Sequence, residues 1–270
     1  MSCSVISWDY SESAGPREWP NLYPAAKGNC QSPIDIAHAG VVYDPDLKGA
    51  KFQLSYDPKD CESLVNTGAT WQIKARPGAK SGFKASFLPD EYIFQQLHAH
   101  WGTNRRDGSE HTVVGEQYAG EIHIVHYNSK YGSFQDAVNK KDGLAVLGIL
   151  LEARPSNAAL AGLVPFLDKI SHKDDEVSLP NGFDFFGVLP DTYDQFWTYE
   201  GSLTTPPCLE CVTWFVFKDD IYVAKEELDA MRRLYATEAG HPTPKNLCCN
   251  VRPPQPLNNR TVRSSFPPKA

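Results

Sequence analysis

No stretch of this sequence is long and apolar enough to cross a bilayer. The longest run, Leu144 to Leu151, falls far short of the roughly 20 residues a spanning helix needs. The N-terminal Met1-Ser2-Cys3-Ser4 lacks the basic segment and apolar core of a secretory leader, so a cytoplasmic protein is expected. Positive charge is also scarce. With 26 basic against 33 acidic side chains and a formal net charge of −7, the chain lacks the clustered Lys and Arg that nucleic-acid phosphates require. There is no internal repeat, low-complexity tract or Gly/Ser linker, so residues 1–270 are read as a single domain. The seven cysteines, Cys3, Cys30, Cys61, Cys208, Cys211, Cys248 and Cys249, form an odd set without a repeating framework. In a chain large enough to need no staples, that predicts free thiols in a reducing compartment. The sequon Asn259-Arg260-Thr261 then carries no meaning.

What is present is the composition of an ordinary globular protein, 41% hydrophobic and 22% charged, able to bury a sizeable core. Pro77-Gly78, Pro89-Asp90, Asn104 to Gly108 and Thr205-Pro206-Pro207 read as turns between short apolar runs. Strands are predicted over 92–101, 121–127, 144–151 and 211–217. Helical signals are fewer. Ser156 is placed to cap a segment reaching Ile170, interrupted by Pro165, and Leu228, Met231 and Leu234 have helical spacing within 225–234. The fold class expected is mainly β (α+β). Both chain ends, with Trp8, Tyr10, Trp19 and Arg252-Pro253-Pro254-Gln255-Pro256, are expected to lie as irregular ribbon over the core.

The most informative stretch is Gln96-Leu97-His98-Ala99-His100-Trp101. Side chains two apart on a strand point the same way, which puts Gln96, His98 and His100 on one face and Ile93, Leu97, Ala99 and Trp101 on the other. The second set suits a hydrophobic core, so the polar face is directed at a site. A second strand, Glu121-Ile122-His123-Ile124-Val125, offers Glu121, His123 and Val125 on one face. Three neutral imidazoles on neighbouring strands are a natural ligand set for Zn²⁺ and leave a fourth position open for chemistry. Gln96 and Glu121 stand two residues before His98 and His123 and are candidates to hold those rings in one tautomer. An isolated His-x-His marks a wet sheet face more often than a metal; the added Glu-x-His tips the balance.

Further segments carry a family resemblance: Gln31 to Ile36, Gln96 to Gly102, Gly108 to Val113, Glu121 to His126, Asp142 to Gly148, Gly201 to Pro207, Glu210 to Trp214 and Arg252 to Leu257. In order and spacing the chain resembles the α-class carbonic anhydrases from Trp8 to the C-terminus, and the cytosolic animal members in particular. The resemblance implies one domain around a large, twisted, mostly antiparallel sheet with short surface helices. It implies a zinc lyase, a carbonate dehydratase in which zinc on His98, His100 and His123 activates water for attack on CO₂, with Gln96 and Glu121 behind the ligands. Thr204 would accept from the attacking hydroxide and donate to Glu110, since a hydroxyl has one proton and a carboxylate only accepts. Val125, Val146, Leu203, Val212 and Trp214, with Thr205, would receive CO₂ and bicarbonate, although on composition alone the apolar five read as ordinary core. Sulfonamides and small anions are the implied inhibitors, and a monomer is favoured. Tyr10 matches a tyrosine at the site rim, suited to ordering a water chain.

One position departs from the family pattern. In Leu64-Val65-Asn66-Thr67-Gly68-Ala69, Ala69 stands where the fastest members carry a histidine that ferries protons to buffer. Alanine cannot carry a proton, and the neighbours Thr67 and Gln72 do not titrate near neutrality. Proton export is therefore expected to limit turnover in scarce buffer, unless His38, His172 or His241, which otherwise read as exposed loop residues, reaches the cavity mouth. His126 is expected to make a structural hydrogen bond and His111 to pair behind the ligands. Cys208 fits one half of the disulfide of secreted relatives, but Cys30 lies too near Gln31 to fit the other. Two other readings remain open: an acatalytic protein-binding module on the same fold, and a different zinc hydrolase, against which no His-Glu-x-x-His helix is present.

Overall fold

The computed structural model describes residues 8–154 and 159–267. Seven strands position the site: β1 (Cys61–Asn66), β2 (Trp71–Ala75), β3 (Tyr92–Trp101), β4 (Gly120–Asn128), β5 (Leu144–Ala153), β6 (Phe196–Gly201) and β7 (Val212–Phe217). They form the centre of a 13-stranded sheet in the order β1-β2-β3-β4-β5-β7-β6. Neighbours run antiparallel except β5 and β7, which are parallel. Glu176–Ser178 extends the sheet beyond β1, and Val262–Ser264 with Val41–Tyr43 extends it beyond β6. Among the described residues there are four α-helices, none long and apolar enough to cross a membrane. The expected mainly β class is what forms.

Both faces of the central strands are covered, which explains the sequence pattern. One face carries the larger core, with Leu97, Ala99, Trp101, Ile122, Ile124, Leu147, Ile149 and Phe215. The other carries a smaller cluster around Val125, Val146, Leu150, Val212 and Trp214. A strand buried on both sides reads as a continuous apolar run rather than an alternating one, as Leu144 to Leu151 does.

The four predicted strands form within a residue or two of their expected limits. On β3 the strict alternation fails at one point. The register shifts between Phe94 and Gln96, a bulge that reverses which side chains face the core. Tyr92 and Phe94 therefore join Leu97, Ala99 and Trp101 in the larger core, while Ile93 is left half-buried outside it. The expectation that Ile93 shares the Leu97 face is corrected by that inserted residue.

The helix expected up to Ile170 is reduced to one turn, Val164–Leu167. Pro165 lies in its first turn, the place where a missing N–H costs nothing, so a helix cannot run into it from upstream. Ser156, the expected cap, lies outside the described residues. The second helix forms over Lys225–Arg232, with Glu227 Oε2 accepting from Ala224 N at 2.7 Å and Leu228 and Met231 buried. The ends do lie as ribbon over the core: Trp8 and Tyr10 pack edge-on against buried Trp19, and the Arg252 guanidinium lies 5.6 Å over the Trp19 ring.

Candidate metal centre

The register of the sheet brings the histidines together. His98 on β3 lies opposite His123 on β4, and His123 lies opposite Gly148 on β5. A side chain at Gly148 would press on the Glu121 carboxylate, whose Oε1 stands 3.2 Å from where a Cβ would sit. The three rings converge: His98 Nε2 is 3.1 Å from His100 Nε2 and 3.3 Å from His123 Nδ1.

The outer nitrogens of these rings fix their tautomers. His98 Nδ1 meets Gln96 Oε1 at 2.8 Å, His100 Nδ1 meets the Asn250 carbonyl at 2.6 Å, and His123 Nε2 meets Glu121 Oε1 at 2.8 Å. All three partners are acceptors, so each outer nitrogen carries the proton and donates it. The three inner nitrogens are then bare lone pairs facing one another. Burial lowers all three pKa values, with His100 down to about 3, so no proton fills the gap between them. Lone pairs this close with no donor among them fit a cation, and a three-nitrogen set with an open side is a zinc set.

The carboxylates agree. Burial pushes Glu121 up, but His111 and His123 outweigh it and hold the group well below the usual carboxylate range. Its Oε2 also accepts from the backbone N–H groups of Glu110 and His111, at 2.9 and 2.7 Å. Glu110 is fully buried, and its Oε1 accepts from Arg252 N at 2.9 Å. Its Oε2 has no partner with hydrogen-bond geometry and lies 3.3 Å from His100 Nε2. Burial pushes Glu110 well up, with Thr204 and the Arg252 N–H pulling the other way. The Arg252 guanidinium is occupied by Gln31 Oε1 and Ser32 O. An ionised Glu121 behind three neutral rings, with a second buried acid, Glu110, whose ionised form is favoured only beside positive charge, suits a divalent cation.

His111, Glu121 and His123 also lie within ligand reach of one another. That group is already closed by hydrogen bonds, His111 Nδ1 to Glu121 Oε1 at 2.6 Å and His111 Nε2 to the Tyr199 hydroxyl at 2.7 Å. It supports the centre rather than forming another. His126, on the opposite face of β4, bonds the Tyr56 hydroxyl at 2.8 Å.

The five apolar residues expected to face substrate fall in the cluster on the histidine side of the sheet. Val125, Val146 and Trp214 form a cross-strand row, Val212 lies beside them and Leu203 packs against them. Thr204 is buried and Thr205 follows it, half-buried, on the same loop. Tyr10 packs with Trp8 and Trp19; its hydroxyl is buried without a hydrogen-bond partner, and burial and then Glu110 push its pKa up.

Ala69 opens onto a cavity of about 420 Å³ that Trp8, Thr67, Lys173, His241 and Lys245 also line. His241 Nδ1 accepts from Thr243 N at 3.2 Å. His172 stacks on Tyr235 at 5.0 Å, and His38 lines a different cavity beside Val41 and Trp197. Of the other two histidines considered for the cavity mouth, neither lines the Ala69 cavity. Cys30 and Cys208 are both free thiols.

Sequence reasoning missed the third outer partner, the Asn250 carbonyl. A backbone oxygen 150 positions from His100 leaves no mark in a side-chain pattern. It also missed the Arg252 N–H on Glu110, for the same reason.

Such a centre, three imidazoles on a sheet face, His100 and His123 buried and His98 half-buried, with acceptors behind them and an apolar cluster beside them, defines a mononuclear metalloenzyme. A profile of the eukaryotic-type carbonic anhydrases matches residues 14–266. The chain is 42% identical to carbonic anhydrase 1 of Mus musculus over 261 residues, covering 96% of this chain and 98% of that protein. It is 38% identical to carbonic anhydrase 3 of Homo sapiens and 39% identical to carbonic anhydrase 3 of Rattus norvegicus, each over 260 residues with the same coverage. The chain belongs to the eukaryotic-type carbonic anhydrase family. It is a zinc enzyme of that family, a carbonate dehydratase interconverting CO₂ and bicarbonate.

Proposed function

We propose that His98, His100 and His123 hold the zinc, that Thr204 and Glu110 orient the attacking oxygen, and that Ala69 leaves the enzyme dependent on external buffer for proton export. The observation that carries this is the meeting of three unprotonated ring nitrogens beside the orphaned Glu110 Oε2. Zinc, when bound, supplies Lewis-acid activation of water. The residues do the rest. Gln96, Asn250 and Glu121 hold the ring protons outward, so every lone pair points inward. Thr204 gives its only proton to Glu110, which leaves its oxygen as an acceptor and fixes the direction of the attacking lone pair. A cation on the rings favours the ionised form of Glu110 that this requires.

Val125, Val146, Leu203, Val212 and Trp214, with Thr205 at the edge, offer an uncharged substrate a weakly binding wall. Tyr10, whose buried hydroxyl has no hydrogen-bond partner, is assigned the ordering of a water chain. Sulfonamide anions and small inorganic anions suit the open side beside Thr204. Residues 1–270 act as one domain, as a monomer, in the cytoplasm, where unpaired Cys30 and Cys208 stay reduced.

Stopped-flow CO₂ hydration at mildly alkaline pH, with an imidazole-type buffer raised from scarce to abundant, tests the reading. Turnover climbs with buffer in the native protein. Ala69→His raises the scarce-buffer rate; His241, which lines the same cavity as Ala69, is tested alongside it, and a fall in the scarce-buffer rate of His241→Ala would assign proton export to that ring instead. A native rate already high and insensitive to buffer would refute the export argument. A zinc-loaded protein inactive at every buffer level would point instead to a binding module.

A further inference from the structure

The dipeptide Cys248-Cys249 takes no part in the chemistry above. It sits on a segment that crosses the end of β3 and is pinned on both sides. Leu247 O accepts from Trp101 Nε1 at 3.1 Å, Asn250 Oδ1 accepts from Trp101 N at 2.8 Å, and Asn250 Nδ2 donates to Ala99 O at 3.1 Å. Between these anchors Cys249 adopts the left-handed region, with φ at 59°, a conformation uncommon for a residue with a Cβ. Consecutive side chains on extended backbone point to opposite sides. Here the left-handed residue brings both thiols to one side, with their sulfurs 3.9 Å apart, Cys249 exposed and Cys248 half-buried.

That separation selects among the fates open to two thiols. Two sulfurs bound at about 2.3 Å to one centre stand about 3.8 Å apart at a tetrahedral angle and about 3.3 Å apart at the narrower angle of pyramidal trivalent arsenic, each within a small side-chain rotation of the separation seen. A disulfide instead needs its sulfurs at about 2.05 Å and its Cα atoms at about 4.4–6.8 Å, and adjacent residues joined by a trans peptide hold theirs at about 3.8 Å. We propose that Cys248 and Cys249 form a two-sulfur chelating site for one soft, thiophilic Lewis acid, of the class of trivalent arsenic and the softer divalent metal ions. It differs in kind from the histidine centre, because sulfur alone selects soft acceptors. Burial, then the neighbouring thiol, pushes Cys248 up to about 11, so binding at neutral pH releases protons. With a monosubstituted arsine oxide, two As–S bonds form, the arsenic–oxygen bond breaks, and that oxygen leaves as water with both thiol protons. With Cd²⁺, two Cd–S bonds form and two protons are released. No electrons are transferred in either case.

The test titrates the zinc-loaded full-length protein with phenylarsine oxide and, separately, with Cd²⁺. The site predicts one arsenical per chain by intact mass, the loss of two titratable thiols, and peptide mapping of the adduct to the segment between Lys245 and Arg252. Release is expected with a dithiol such as 2,3-dimercaptopropanol but not with a tenfold larger amount of a monothiol. Cys248→Ser and Cys249→Ser are each expected to weaken arsenical binding by about 10²-fold, because the second bond is no longer intramolecular; Cys30→Ser leaves it unchanged. In the Cd²⁺ arm, an ultraviolet thiolate-to-metal absorption band appears in the native protein and is absent from both variants; its appearance extends the site to metal ions, and its absence with the arsenical bound restricts it to trivalent arsenic. The proposal is overturned if the adduct maps to another cysteine, if a monothiol removes it as readily as the dithiol, or if neither probe binds. Mapping on the native protein decides the matter even if a serine variant fails to fold.

Discussion

Thr204 and Glu110 carry the orientation argument, and the proton on a single hydroxyl decides it. In the proposed arrangement, Thr204→Ala removes both the donor to Glu110 and the acceptor for the attacking oxygen. Its kcat/KM for CO₂ hydration is expected to fall by about 10²–10³-fold, in the range for loss of one preorganised polar contact. Thr204→Ser keeps the hydroxyl and is expected to retain most of the activity, which separates the polar role from mere packing; zinc content by atomic absorption should be unchanged in both. In the proposed reading, the function that Ala69 lacks is proton carriage.

At the scale of elements, the bulge in β3 makes an uneven prediction for two neighbouring aliphatic side chains. Leu97 is fully buried in the larger core and Ile93 is half-buried outside it. Leu97→Ala is expected to cost about 2–5 kcal/mol and Ile93→Ala well under half of that, measured by denaturant unfolding of the zinc-loaded protein. Equal costs would mean that the alternation runs unbroken through residue 95. The 247–252 segment makes a second prediction. The Asn250 side chain donates to Ala69 O and Ala99 O and accepts from Trp101 N, while its carbonyl receives the His100 ring proton. Asn250→Ala takes this partner from Trp101 N and Ala69 O, while Ala99 O keeps the Thr70 hydroxyl at 2.6 Å, and frees the carbonyl to drift. Stability is expected to drop by about 2–4 kcal/mol, and zinc dissociation, followed with a chelating dye, to quicken by about 10–100-fold.

For the molecule as a whole, burial of a neutral histidine ties stability to pH. His126 sits in the larger core against Tyr56, Phe83 and Phe94, and burial lowers its pKa from 6.5 to about 3. Above about 6.5 neither the folded nor the unfolded form holds the proton, so the group has no effect on the balance. Between about 6.5 and 3 only the unfolded chain takes it up, so stability falls as the pH falls, by up to about 1.4 kcal/mol per pH unit from this one group. In His126→Asn that contribution is absent. Unfolding free energies measured from pH 5 to 6.5, at saturating zinc, should therefore slope less steeply than in the native protein by about that amount. Identical slopes would show that His126 is protonated in the fold.

Much of this protein was written locally. The His-x-His and Glu-x-His pairs, the acceptors two residues before His98 and His123, and the four central strands are consequences of a two-residue period, which needs only neighbours along the chain. The spacing of further motifs was enough to resemble a family, and with it to propose roles for Thr204, Glu110 and the apolar cluster. What the chain's own order could not supply was contact across distance. The bulge that excludes Ile93 from the core depends on how β3 pairs with β4, and the last ring tautomer on a backbone oxygen 150 positions away. The pairing of two thiols on one side at Cys248-Cys249 likewise depends on a left-handed residue held between two anchors to Trp101 and Ala99. Side-chain chemistry and period are properties of the sequence; register and the direction of a carbonyl are settled only when distant strands close on one another.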